Sequence, residues 1–155
     1  MDATQRHSFT LDTFGGYNLY FRATDKTTGK SQTYTRKITV YDNEAPVLTV
    51  TNNLKKTYKV NAKIKVPEYS VSDNSDVYYL NVYLFLPNDE ERLLLKDVNG
   101  TVTSYLSSES VIYNSSFKVD DRTFKAELEG TYKLRYVAYD DAFNITVEEI
   151  TFTVE

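Results

Sequence analysis

Apolar and polar residues alternate with a period of two along most of the chain. The clearest run is Tyr58-Lys59-Val60-Asn61-Ala62-Lys63-Ile64-Lys65-Val66, where every second residue is apolar. Successive side chains of a strand point to opposite faces, so this run predicts a strand with one buried face. Pro67 ends or bulges it, because proline has no N–H to give to a ladder. Tyr69-Ser70-Val71-Ser72 leads into an acidic turn, Asp73-Asn74-Ser75-Asp76. Val77 to Leu86 is the longest predicted strand, Pro87-Asn88-Asp89-Glu90 turns the chain, and Arg92 to Val98 returns. Asn99-Gly100 is a hairpin signal. Residues 101–121, rich in Ser, Thr and Asn, predict a loop with short strands around Val102 and Val111-Ile112-Tyr113. Thr123–Leu128, Thr131–Asp140 and Ile145–Val154 are three further predicted strands. No window favours a helical period. About seven strands between Ala45 and Glu155 predict one antiparallel sandwich.

The end of the chain repeats its beginning. Phe9, Gly15, Tyr17, Leu19, Phe21, Ala23 and Asp25 correspond to Phe124, Gly130, Tyr132, Leu134, Tyr136, Ala138 and Asp140, at a constant offset of 115 residues (140 − 25). That offset is the size of one β-sandwich domain rather than of a solenoid repeat. Residues 1–42 therefore contain the last strands of a partial unit, at Phe9–Leu11, Tyr17–Asp25 and Ser31–Val40, and residues 43–155 form a complete one. Two or three strands cannot bury a core alone, so a protein partner or neighbouring subunit is expected to complete residues 1–42. Asp42-Asn43-Glu44-Ala45-Pro46-Val47 is a short linker stiffened by proline.

Composition narrows the class. Among 155 residues there is no cysteine, which excludes disulfides, thiolate metal sites and cysteine nucleophiles. The 18 basic and 22 acidic residues are evenly mixed, which argues against a nucleic-acid-binding stripe. No apolar run approaches a membrane span, and Met1 to His7 lacks the hydrophobic core of a signal peptide. Fourteen tyrosines and no tryptophan suit a sheet.

Several of these stretches resemble the bacterial immunoglobulin-like repeats of surface proteins. The linker Asp42 to Val47 is similar to their D-x-x-A-P-V opening. Ile64-Lys65-Val66-Pro67-Glu68, with Val71 to Ser75, is similar to their second strand and the acidic loop after it. Gly130-Thr131-Tyr132-Lys133-Leu134 with Tyr136, Ala138, Asp140 and Asn144 resembles their G-x-Y-x-L-x-Y-x-A-x-D…N ending. The resemblance covers residues 43–155 and a partial copy before them, and implies an all-β, immunoglobulin-like antiparallel β-sandwich preceded by the terminal strands of a second copy. Tyr132 stands where a tyrosine corner would. The linker and the A-x-D loops also resemble cadherin repeats, which bind calcium between domains, although Asp42-Asn43-Glu44 is shorter than the cadherin linker.

Two constellations carry candidate chemistry. In a sandwich of this topology the entry, B–C and F–G loops share one end. That gathers Asp42, Glu44, Asp73, Asp76, Asp140 and Asp141, with Asn43, Asn74 and Asn144, as hard oxygen donors of the kind calcium takes. The plainer reading is that these residues cap turns through their own backbone. The second constellation is aromatic. With Leu80, Val82, Leu84, Leu134, Tyr136 and Ala138 facing inward, Tyr79, Tyr83, Phe85, Arg135 and Tyr139 face outward on neighbouring strands. Such a patch can stack on a carbohydrate or meet a protein partner; the plainer reading is cross-strand stabilisation of an exposed sheet.

Catalysis has little support. His7 is the single histidine, and no nucleophile elbow, phosphate loop or metal-ligand spacing is present. Asn99, Asn114 and Asn144 match the glycosylation acceptor pattern, which arises easily by chance in so Asn- and Thr-rich a chain. The expected function is a non-catalytic spacer or adhesion module of a multidomain extracellular protein at the cell surface. The alternative is a structural subunit of a phage virion, in a tail, fibre or capsid decoration.

Overall fold

The computed structural model describes residues 8–103 and 122–155. The predicted strand at Val111–Tyr113, the Asn114 acceptor and His7 lie outside them. The described chain is all-β and divides into two compact units, Met1–Asp42 and Asn43–Glu155.

The first unit is a single ribbon. Strands β1 (Gly15–Thr24) and β2 (Ser31–Val40) pair antiparallel along their whole length, from Gly15 opposite Val40 to Thr24 opposite Ser31. Alternation makes the ribbon two-faced. Tyr17, Leu19, Phe21 and Ala23 share one face with Val40, Ile38, Arg36, Tyr34 and Gln32. Asn18, Tyr20, Arg22 and Thr24 share the other with Thr39, Lys37, Thr35, Thr33 and Ser31. Asp25 holds the turn: its Oδ1 accepts from the backbone N–H groups of Thr27 (2.7 Å) and Thr28 (3.0 Å). Those two bonds hold its carboxyl below the usual carboxylate range. The predicted strand at Phe9–Leu11 does not form. Its counterpart around Phe124 is a strand because another strand pairs with it.

The second unit contains β3 (Val47–Thr51), β4 (Thr57–Tyr58), β5 (Ala62–Lys65), β6 (Glu68–Ser72), β7 (Tyr79–Phe85), β8 (Glu91–Val98), β9 (Thr101–Thr103), β10 (Thr123–Ala126), β11 (Gly130–Tyr139) and β12 (Ile145–Val154). A six-stranded sheet runs in the order β4-β12-β11-β7-β8-β9, with β4 parallel to β12 and the other neighbours antiparallel. Its inner face packs against the pairs β3–β6 and β5–β10, giving a β-sandwich. Ile64, Leu80, Val82, Leu84, Leu134, Tyr136 and Phe152 are buried in one core, and Ile150 packs half-buried at its margin.

Two departures from the predicted strands have local causes. The alternation over Tyr58–Val66 is not one strand. Asn61 takes a left-handed conformation (φ 64°), and there the chain leaves the six-stranded sheet, where β4 pairs with β12, for the opposite layer, where β5 pairs with β10. Tyr58, Val60, Ala62, Ile64 and Val66 all meet the same core, so the pattern runs through the break. The second departure is a bulge in β8. Val82 stands opposite Leu95 and Tyr83 opposite Leu93, which leaves Leu94 unmatched and allows three successive leucines to be buried. The Asn99-Gly100 turn joins β8 to β9 with both residues at positive φ (48° and 82°), the type I′ geometry that suits a right-twisted hairpin.

Candidate functional site

The acidic loops come together in part. Carboxylate oxygens of Asp42, Asp73 and Asp140 lie within 4.8 Å of one another, whereas Glu44, Asp76 and Asp141 stand outside this group. Each loop has a local use for its aspartate. Asp73 Oδ2 accepts from the backbone N–H of Ser75 (2.9 Å) and from the Ser75 hydroxyl. Asp140 is 1% exposed, and both its oxygens accept from Asn144, Oδ1 from the backbone N–H (2.8 Å) and Oδ2 from the side-chain amide (2.7 Å). The Asp73 bond to Ser75 N–H is an Asx turn, and Asp140 closes a wider turn by bonding four residues on. Asp25, at the position of the first ribbon that matches Asp140, also bonds turn N–H groups, but two and three residues on. Asp73 Oδ1 is buried without a hydrogen-bond partner among the described residues. Calcium takes six to eight oxygens. Among the three carboxylates, Asp140 already accepts one hydrogen bond from Asn144 at each oxygen. Asn144 is half-buried, and its side-chain amide donates to Asp140 (2.7 Å). Asp76 sits at positive φ (59°), its N–H directed at Asp73 C=O (3.4 Å), and Asp141 accepts the Tyr79 hydroxyl (2.9 Å).

The aromatic face also assembles. β7 and β11 are neighbours in antiparallel register, with Tyr79 opposite Tyr139, Tyr83 opposite Arg135 and Phe85 opposite Lys133. All five predicted outward residues share that face, half-buried. Much of their surface is already engaged. The Tyr79 and Tyr139 rings stack with centroids 5.0 Å apart and planes 14° from parallel. Lys133 Nζ and Arg135 Cζ each lie 4.7 Å from the Phe85 ring centroid, a double cation–π contact. Glu149 then ties the two cations together, at 3.2 Å from Lys133 and 2.6 Å from Arg135, and Arg135 in particular holds its carboxyl below the usual range. Val137, Val147 and Ile145 continue the face on β11 and β12.

One buried acid escapes a sequence reading. Asp97 is 3% exposed on the inner side of β8; its Oδ2 accepts the Tyr69 hydroxyl (2.9 Å), and its Oδ1 has no partner among the described residues. Burial first, and then the Asp97 carboxylate, push the Tyr69 hydroxyl well above the usual tyrosine range. The Arg122 guanidinium lies 5.1 Å from the Tyr69 ring centroid. The signal was available only through the bulge, which sets Leu95 and then Asp97 inward.

The two copies share their most specific local motif. Tyr132 hydroxyl donates to Leu128 C=O (3.0 Å) and accepts from Leu128 N–H (2.9 Å), four residues upstream. Tyr17 hydroxyl donates to Thr13 C=O (2.6 Å), also four upstream. Both follow a glycine at high positive φ, Gly130 at 126° and Gly15 at 128°. The pairing registers match as well: Gly15 opposite Val40 and Tyr17 opposite Ile38, against Gly130 opposite Val154 and Tyr132 opposite Phe152. No protein-family model matches the chain, and no curated protein matches it.

Proposed function

We propose that the chain is a non-catalytic structural module, an immunoglobulin-like spacer from a tandem array in a multidomain protein at the cell surface. The observation that supports this reading best is the recurrence of one closing ribbon. β1–β2 and β11–β12 agree in register, in the tyrosine corner and in the aspartate that opens the turn. A unit repeated at a fixed interval with a short proline-stiffened linker extends and presents whatever lies beyond it. The outer face of the six-stranded sheet would be the contact surface, with a protein the better fit than a sugar, because its two most regular ring faces are already covered by each other and by cations. Antibodies raised against the full chain would label the outside of intact source cells, and brief surface proteolysis would remove that label. Labelling of purified phage particles, with none on cells, would overturn the surface assignment and move the module to a virion.

A further inference from the structure

Asn99-Gly100 is the single Asn-Gly pair in the chain, and the pair has a chemistry of its own. The backbone nitrogen of Gly100 can attack Asn99 Cγ, because a following glycine has no side chain to shield it. A new N–Cγ bond closes a five-membered succinimide ring. The Cγ–Nδ2 bond breaks, and that nitrogen leaves as ammonia with the proton given up by Gly100 N–H. Water then adds at either ring carbonyl and leaves aspartate or isoaspartate at position 99. Water is the single co-reactant.

In the folded turn one residue engages both reacting groups. Tyr78 N–H donates to Asn99 Oδ1 (2.7 Å), and Tyr78 C=O accepts from Asn99 N–H (3.2 Å). The Tyr78 hydroxyl is hydrogen-bonded to the Gly100 backbone, and a Cβ on Gly100 would stand 3.9 Å from it. Burial first, and then the Asp97 carboxylate, push this hydroxyl above the usual tyrosine range. It therefore stays protonated in mildly alkaline solution and does not serve as the base that frees the Gly100 nitrogen. The turn itself is fixed on both sides, with Val98 opposite Thr101 on β9 and opposite Tyr79 on β7. Ring closure needs the Gly100 nitrogen to swing toward Asn99 Cγ. That movement breaks its bond to Tyr78 and takes the turn out of its type I′ geometry.

We infer that Asn99-Gly100 is a self-modification site which the fold holds closed through Tyr78, and that it reacts when the β8–β9 hairpin opens. The product is a permanent mark of that opening. Isoaspartate routes the chain through its side-chain carbon and adds one atom to the backbone of a two-residue turn. β9 is three residues long, lies at the end of the six-stranded sheet and pairs with β8 alone among the described residues. A turn that no longer closes releases this short strand and leaves the edge of β8 open.

The full chain, kept in mildly alkaline buffer with and without unfolding urea, tests this. Peptide mass spectrometry reads the gain of about one dalton at Asn99, and enzymatic methylation reads the isoaspartate. In urea Asn99 should convert first among the asparagines, and in buffer at least about tenfold more slowly. Equal rates would overturn the inference, as would no conversion in urea. Tyr78→Phe removes the hydroxyl and keeps both backbone bonds to Asn99. It should raise the rate in buffer at least about threefold and leave the rate in urea unchanged. An unchanged rate in buffer overturns the part given to Tyr78, and the inference with it. Should Tyr78→Phe not fold, the native chain at urea concentrations below its unfolding transition decides. Conversion there should rise in step with hydrogen exchange at the β9 amides, and conversion indifferent to urea in that range overturns the inference.

Discussion

Leu134 and Leu19 are the same position of the same ribbon, and truncating each to alanine separates what the motif does from what its burial does. Leu134 is 0% exposed in the second unit, packed between β7 and the opposite layer. Leu134→Ala removes three carbon groups from the core, and at about 0.8 kcal/mol each the lost transfer energy is about 2.4 kcal/mol. The neighbours Leu84 and Ile150 stand directly opposite it on fixed strands, so the site cannot collapse fully, and the residual cavity lifts the total to about 3–4 kcal/mol. That is a large part of the stability of a domain of this size. Leu19 has Arg36 opposite on β2 and, among the described residues, no strand on its other side, so Leu19→Ala should cost the cooperative transition less than about 0.5 kcal/mol. Urea unfolding of the full chain, followed by circular dichroism and tyrosine fluorescence, reads both values. A loss below about 1 kcal/mol for Leu134→Ala would show that the inner face of β11 has been assigned wrongly, and equal losses at the two positions would show that the first ribbon is covered after all.

Further expectations concern single groups. Burial pushes the Tyr136 hydroxyl, which donates to Pro67 C=O (3.2 Å), well above the usual tyrosine range. The folded state therefore keeps a proton that the unfolded chain loses near pH 10, so stability is full below about pH 10 and falls above it. Urea midpoints measured from about pH 8 to about pH 11 should drop, and Tyr136→Phe should flatten that drop; an unchanged slope would contradict the assignment. Gly130→Ala places a Cβ 2.7 Å from Pro87 Cβ at a φ of 126°, and should cost about 1–3 kcal/mol by thermal melting, more than Gly15→Ala, whose added carbon meets nothing. Asp140→Ala frees the two Asn144 donors and should cost about 1–3 kcal/mol in urea. With the native chain, millimolar calcium and a chelator should give the same melting temperature; a rise of several degrees with calcium would reassign Asp42, Asp73 and Asp140 to a cation.

Alternation made the ribbons and the core legible in the sequence. Leu80, Val82, Leu84, Leu134 and Tyr136 face inward as their period demands, and the outward aromatic set on β7 and β11 follows from the same rule. What alternation cannot show is which strand a segment pairs with. The run from Tyr58 to Val66 keeps its period while changing layers at Asn61, because both sheets face one core. Leu93-Leu94-Leu95 hides a bulge behind residues that are all apolar, and through it the inward turn of Asp97. Phe9–Leu11 carries the letters of a strand but pairs with no strand among the described residues. The acidic loops were legible as a cluster at one end; that Asp73 and Asp140 are bound to their own turns depends on backbone geometry, which residue spacing does not contain.

The parallel contact between β4 and β12 has a mechanical consequence. Thr153 N–H bonds Lys56 C=O (2.9 Å), Glu155 N–H bonds Tyr58 C=O (2.9 Å) and Val60 N–H bonds Glu155 C=O (3.3 Å). β4 lies near the start of this unit and β12 at its end, and the two run in the same direction. Tension applied through the ends of the unit pulls these strands past one another lengthwise. The bonds are then strained together instead of opening one by one like a zipper. Forced unfolding is governed by the unfolding rate rather than by equilibrium stability. A few short bonds in this arrangement can therefore resist stretching more than their small share of the folding energy suggests.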